Sequence, residues 1–138
     1  MPTASITLTS TDIAGDPVKI SRSSTCYKAG TETPLDQTAG LYKLILTTTT
    51  NKELYIATAA GDNKAAKMYI CNKSETPSEY VTITINAQDI GKLYAGDWMF
   101  IPWSQTDTSA QLEVQASVAT AMPIEYMLMH EGYDLADA

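Results

Sequence analysis

Apolar and polar residues alternate with a period of two along most of this chain, while the 3.6-residue period of an amphipathic helix hardly occurs. Ala4–Thr9 (ASITLT) sets Ile6 and Leu8 on one face, and Val18–Arg22 (VKISR) alternates in the same way. Leu41–Thr47, Glu53–Thr58, Lys67–Asn72, Tyr80–Ile85, an aromatic stretch around Trp98, Gln111–Ser117 and Ile124–His130 complete the series. Between them lie turn signals: Asp12–Pro17 (DIAGDP), Thr47–Asn51, a turn opening at Gly61, Ser74–Ser78, and Asn86–Gly91 leading into the aromatic stretch. Lys64–Ala66 is room for one helical turn at most. About eight or nine short strands at roughly ten-residue spacing predict an all-β fold, an antiparallel β-sandwich or a jelly-roll-like barrel. Leu41–Thr47 and Glu53–Thr58 are expected to form a hairpin. Ser23–Gly40 reads as a long polar excursion of the kind that serves a function or wraps a neighbour.

The stretch Leu93–Trp103 (LYAGDWMFIPW) departs from this alternation and holds both tryptophans and the sole phenylalanine. On a strand, Trp98, Phe100 and Pro102 point one way, and Met99, Ile101 and Trp103 point the other. Neither side is polar, so both sides need cover. The facing sheet of a sandwich covers one. The other requires the Ser23–Gly40 excursion or a second subunit, and self-association is the favoured cover. Ile124–Glu131 behaves alike: Ile124, Tyr126 and Leu128 form one face, and Met127 and Met129 add apolar bulk on the other. Trp98, Phe100, Ile101, Trp103, Tyr126, Met127 and Met129 are therefore the candidate interface residues. Pro102 cannot donate to a ladder, so the aromatic strand must end there or run along an edge. Ala95-Gly96-Asp97 is the turn before the rings, with Asp97 placed to accept from nearby backbone amides.

At 138 residues the chain suits one domain spanning 1–138, with 1–11 a candidate extended arm and 132–138 a fraying acidic tail. Hydrophobic residues make up 44% and charged residues only 18%, which argues against general disorder. Serine and threonine supply much of the polarity and suit exposed strand faces. A net charge of −7, with Arg22 the single arginine, disfavours nucleic-acid binding, which needs clustered cations against phosphate. No run is long and apolar enough to span a membrane as a helix. The N-terminal MPTASITLTS shows no basic region or apolar run of a secretory signal. Cys26 and Cys71 stand far apart without a CxxC spacing; two partly buried free thiols in a reducing cytoplasm are expected, one disulfide across two strands being the alternative.

Catalytic signatures are missing: there is no GxSxG, HExxH, P-loop or dinucleotide fingerprint. His130 is the single histidine and is expected at the rim of a strand end beside Glu131, without the second ligand a metal site needs. Asp12 with Asp16, and Asp62 with Asn63, are turn residues before they are calcium ligands. The tyrosines are spread along the chain, commonly at strand starts, which suits core and rim better than a sugar-binding groove. No enzyme activity and no cofactor are expected.

The segment LYAGDWMFIPWS, followed by MPIEYMLMHEG, resembles small virion structural proteins of tailed bacteriophages, particularly phages of cyanobacteria and other marine bacteria. YVTITINAQDIGKLYAGD and LDQTAGLYK are similar in kind, so the resemblance covers Gln37 to Gly132. It implies a non-enzymatic capsid decoration (cement) protein, made in the host cytoplasm and placed on the head surface of the virion. It further implies a homotrimer bound to the major capsid protein, with Met1–Thr11 or Ser23–Gly40 as a clamping arm. A tail, neck or fibre component is the alternative within that class; a carbohydrate-binding module for host adhesion is the alternative outside it.

Overall fold

A computed structural model describes residues 2–11, 17–55, 66–102 and 112–131. Ten β-strands and no helix occur among them. In chain order they are β1 (Thr3–Ser10), β2 (Val18–Thr25), β3 (Gln37–Leu46), β4 (Lys52–Tyr55), β5 (Ala66–Asn72), β6 (Tyr80–Ile85), β7 (Gln88–Tyr94), β8 (Trp98–Pro102), β9 (Leu112–Ala116) and β10 (Met122–His130). All pairings are antiparallel. Two four-stranded sheets, ordered β3-β10-β5-β8 and β4-β9-β6-β7, stay separate and do not close into a barrel, so the fold is a sandwich. The third sheet is a two-stranded ribbon of β1 and β2.

The core follows from parity. Met68 and Ile70 on β5, Ile124 and Leu128 on β10, and Met99 and Ile101 on β8 share the inner face of one sheet. They meet Val81 and Ile83 on β6, Val114 on β9 and Leu93 on β7. Each is one of alternate residues on its strand, so a period-two sequence buries one side and leaves the other. Full burial of such side chains contributes about 1.5–3 kcal/mol each relative to exposure.

Three differences from the sequence expectations have local causes. β3 and β4 fall in different sheets rather than forming a hairpin, because Thr47–Asn51 carries the chain from one layer to the other. Gln88–Tyr94 is a full strand, and the turn before it is only Asn86-Ala87. Both turn residues have positive φ, 53° and 60°. That geometry suits the twist of a two-residue hairpin, and asparagine tolerates it well while alanine gives no glycine-like signal. The polar excursion contracts to residues 26–36, since β2 runs on to Thr25 and β3 starts at Gln37. It is folded on itself by a Tyr27–Pro34 bridge, and Cys26 and Leu35 are buried within it.

Candidate functional site

The connection from β7 to β8 crosses between the two layers, and it fixes which way the aromatic side chains face. Gly96 takes φ 85°, a left-handed conformation that glycine adopts without penalty. Asp97 Oδ2 accepts from Tyr94 N–H at 2.9 Å, and Asp97 N–H donates to the Tyr94 carbonyl at 2.8 Å. Asn72, at the end of β5, is fully buried and holds this turn from the other side. Its N–H donates to the Asp97 carbonyl and its carbonyl accepts from Gly96 N–H, both at 2.9 Å. Its side chain donates through Nδ2 to the Leu93 carbonyl and accepts through Oδ1 from Ser74 N–H, both at 2.9 Å. The four bonds tie β5, β7 and the start of β8 together, leaving no freedom for β8 to slip by one residue and exchange its faces.

With that register, Trp98 stands opposite Cys71 and Phe100 opposite Tyr69 on the outer face of the sheet. Met127 continues the Phe100–Tyr69 row on β10, and Leu41 ends it on β3. β10 and β8 are not neighbours; β5 lies between them, and Tyr69 bridges the two sets of apolar side chains. Trp98, Phe100, Met127 and Met129 are thus brought onto one surface. Ile101 and Tyr126 belong to the inner side, where Ile101 packs against the core and Tyr126 stacks on Tyr42 with ring centroids 5.6 Å apart. Trp103 lies outside the described residues, as do Asp12, Asp16, Asp62, Asn63, Lys64 and residues 132–138. Pro102 is the last described residue of β8, which lies on the edge of its sheet among the described residues.

The outer face is only partly covered. Trp98 is 51% exposed, Leu41 54% and Ile45 60%, whereas Phe100, Tyr69, Met127 and Met129 are half-buried. The covering segment is the root of the β1–β2 ribbon, not the 26–36 loop. Residues 2–6 and 22–24 stand over Tyr69, Trp98, Phe100, Met127 and Met129 across a slot of about 940 Å³. The Tyr69 hydroxyl donates to Glu125 Oε1 at 3.0 Å. Burial first, and this bond second, hold the Tyr69 hydroxyl well above its ordinary pKa. Tyr126 is raised as well, by burial and then by its neighbour Tyr42. Leu41, Ile45 and Tyr69 escaped the sequence analysis. Their strands were legible, but the order β3-β10-β5-β8 that puts them beside Trp98 and Met127 is set by long-range pairing.

His130 and Glu131 are buried rather than at the rim, because the 26–36 loop folds over the end of β10. Glu131 Oε2 accepts from Ala29 N–H at 2.7 Å. Lys28 and Asp36 form an ion pair at 2.8 Å across the same loop, and the Lys28 ammonium holds the Asp36 carboxyl below its ordinary value. Cys26 and Cys71 are free and buried. Among the described residues no group of three or more His, Cys, Asp or Glu side chains could hold a metal ion, and no helix is long and apolar enough to cross a membrane.

No family model matches the chain, and no curated protein matches it.

Proposed function

We propose that this chain is a non-enzymatic structural protein of a tailed-phage virion, a decoration (cement) protein that binds the outer head shell as a homo-oligomer, with a trimer favoured. The observation that carries this reading is the outer face of the β3-β10-β5-β8 sheet. Trp98, Leu41 and Ile45 lie open there beside half-buried Phe100, Met127 and Met129. Lys43, Glu125 and Lys67 lie among them on the same face, so the apolar surface is interrupted, yet large aromatic and aliphatic side chains left open on one sheet face are what assembling proteins bury against a copy or a partner. Aromatic and methionine side chains at the centre of such a patch are typical interface anchors. The similarity of LYAGDWMFIPWS and MPIEYMLMHEG to small phage virion proteins supplies the head-surface setting and the major capsid protein as partner.

Both quoted segments serve this surface: the first supplies the turn and Trp98–Pro102, the second Met127 and Met129. Attachment at many equivalent points on a shell would turn modest single-site affinity into stable decoration. The decisive experiment is a reconstruction of phage particles that carry the protein. Density for it on the head, at local symmetry axes, supports the proposal; density confined to tail, neck or fibres refutes the decoration role. A glycan-binding reading draws on the same slot, because Trp98 and Phe100 form an aromatic floor. It predicts glycan-array binding that disappears in Trp98→Ala, whereas the decoration reading predicts weakened assembly and no glycan signal.

A further inference from the structure

The most exposed large apolar side chains of the β3-β10-β5-β8 sheet gather at its two edges. Leu41, Tyr42 and Ile45 stand on β3 at one edge, and Trp98 stands on β8 at the other. The backbone groups that these edges present follow from the ladders. Pro123 has no N–H, and its carbonyl accepts from Lys73 N–H at 2.9 Å, on the side of β5. The Ile45–Pro123 pair is therefore unbonded in the β3–β10 ladder, where bonded and unbonded pairs alternate. Leu41, Lys43 and Ile45 thus turn their N–H and C=O groups away from β10, off the edge of the sheet. Asn72 N–H donates to the Asp97 carbonyl, so the next pair, Cys71–Trp98, is unbonded, as is Tyr69–Phe100. Trp98 and Phe100 accordingly turn their N–H and C=O groups off the opposite edge. None of these groups has a hydrogen-bond partner among the described residues. Proteins commonly blunt such edges with charge, proline or a bulge. Here a bulge between Thr38 and Leu41, where Gly40 takes φ 98°, and Pro102 stand only at the ends of the open stretches.

We infer that β3 of one copy adds to the free edge of β8 in a second copy, antiparallel, so that the sheet continues from copy to copy. This rests on the self-assembling reading above and specifies its contact. An open edge is satisfied by an extended strand, because only a strand repeats donors and acceptors at the required spacing. The chain's own two edges match in each respect that such a ladder needs. In direction, three antiparallel steps leave β3 and β8 running oppositely within one sheet. A rotation about an axis along the strands therefore sets one copy's β3 antiparallel to the next copy's β8. In parity, the edge-facing residues of both strands carry their side chains on the outer face, so the outer faces of the two copies stay on one side. In chemistry, Ile45 opposite Trp98 and Lys43 opposite Phe100 use every edge-facing group of those four residues. Leu41 N–H then meets the Pro102 carbonyl, and Ile45 packs beside the Trp98 ring. No like charges oppose each other, since Lys43 is the only charged residue of 41–46 and residues 98–102 have none. The slot is bounded by four consecutive β8 residues, 98–101, so open space runs along this edge as well as over the outer face. Each copy uses β3 once and β8 once, which makes the contact heterologous and closes a ring when the rotation allows.

The test is hydrogen exchange of single amides in the full native chain, compared at concentrations below and above assembly. The N–H groups of Lys43, Ile45, Trp98 and Phe100 should exchange rapidly in the monomer and slow by roughly tenfold or more in the oligomer, because pairing of the edges gives each of them a carbonyl partner. Amides that stay fast in the oligomer overturn the inference, since packing through sheet faces alone leaves both edges wet. Slowing on β3 with Trp98 and Phe100 still fast also overturns it, because β3 would then pair with β3 about a two-fold axis. In parallel, Lys43→Pro removes a donor that points off the sheet and leaves the β3–β10 ladder bonds in place. It should weaken self-association by roughly tenfold in sedimentation equilibrium, while Lys43→Ala associates as the native chain does. Equal association of a folded Lys43→Pro variant and the native chain overturns the inference, and if that variant does not fold, exchange in the native chain decides. The outcomes separate the two proposals. Slowed edge amides in a protein absent from phage heads leave the inference standing and remove the decoration role. Head density with fast edge amides does the reverse.

Discussion

Replacing Asn72 with alanine removes two side-chain hydrogen bonds at the point where β5, β7 and the turn before β8 meet. Asn72 is fully buried, and both of its side-chain partners belong to buried residues, Leu93 and Ser74. Alanine leaves the Leu93 carbonyl and the Ser74 N–H without these partners. A buried group left unpaired costs about 1–3 kcal/mol, and two such groups set an upper bound near 6 kcal/mol. The adjoining Gly96-Asp97 turn is exposed, so water can reach part of the gap and reduce the loss. About 3 kcal/mol is the resulting expectation, equivalent to roughly 10 °C in melting temperature for a chain of this size. Urea unfolding followed by circular dichroism, at low protein concentration so that association does not contribute, measures it directly. The midpoint should fall while the slope with denaturant stays the same. A loss below about 1 kcal/mol would show that the turn is held by its backbone bonds alone, and would refute the assignment of Asn72 as the residue that fixes β8.

Further expectations concern the surface, the tyrosines and the thiols. Met127→Lys should weaken self-association in light scattering with little change in monomer stability, because Met127 lies on the outer face and is only half-buried; an oligomer of unchanged strength would remove that face from the interface. Tyr69 and Tyr126 are held protonated in the folded state beyond their ordinary value of about 10. Their contribution is complete below pH 10 and is lost as pH rises through and above it, where the unfolded chain ionises first. Tyr69→Phe should therefore flatten the alkaline fall in stability above pH 10, and an identical slope would contradict the burial of that hydroxyl. Cys26 and Cys71 should resist alkylation in the native protein and both react in denaturant; rapid native labelling of either would contradict its burial.

The all-β character was readable in the sequence because alternation is a local property: Tyr80–Ile85 and Ile124–His130 show it without reference to anything else. That Met99 and Ile101 oppose Trp98 and Phe100 was readable for the same reason; that the first pair faces the core was not, because both sides are apolar. What lay beyond reach was every feature that depends on which strand neighbours which. Leu41 and Tyr69 look like ordinary strand residues until β3, β10, β5 and β8 are laid side by side. The chain's own segment over the aromatic face is equally a matter of long-range placement. The Ser23–Gly40 stretch, the alternative to a second subunit as cover, is strand at both ends, and the alternating Ala4–Thr9 segment, paired with Val18–Thr25, stands over the face instead. The burial of His130, at a strand end where sequence alone indicates a rim position, depends on the 26–36 loop, anchored by Ala29 on Glu131, folding over it.

The claim on which the functional account depends is that the outer face bearing Trp98 is covered by another copy. Sedimentation velocity of the native chain and of Trp98→Asp, over a concentration series reaching micromolar, measures this most directly. The account predicts a discrete oligomer for the native chain and a folded monomer for the variant. A native chain that sediments as a monomer throughout, or a variant that assembles as the native chain does, would contradict it.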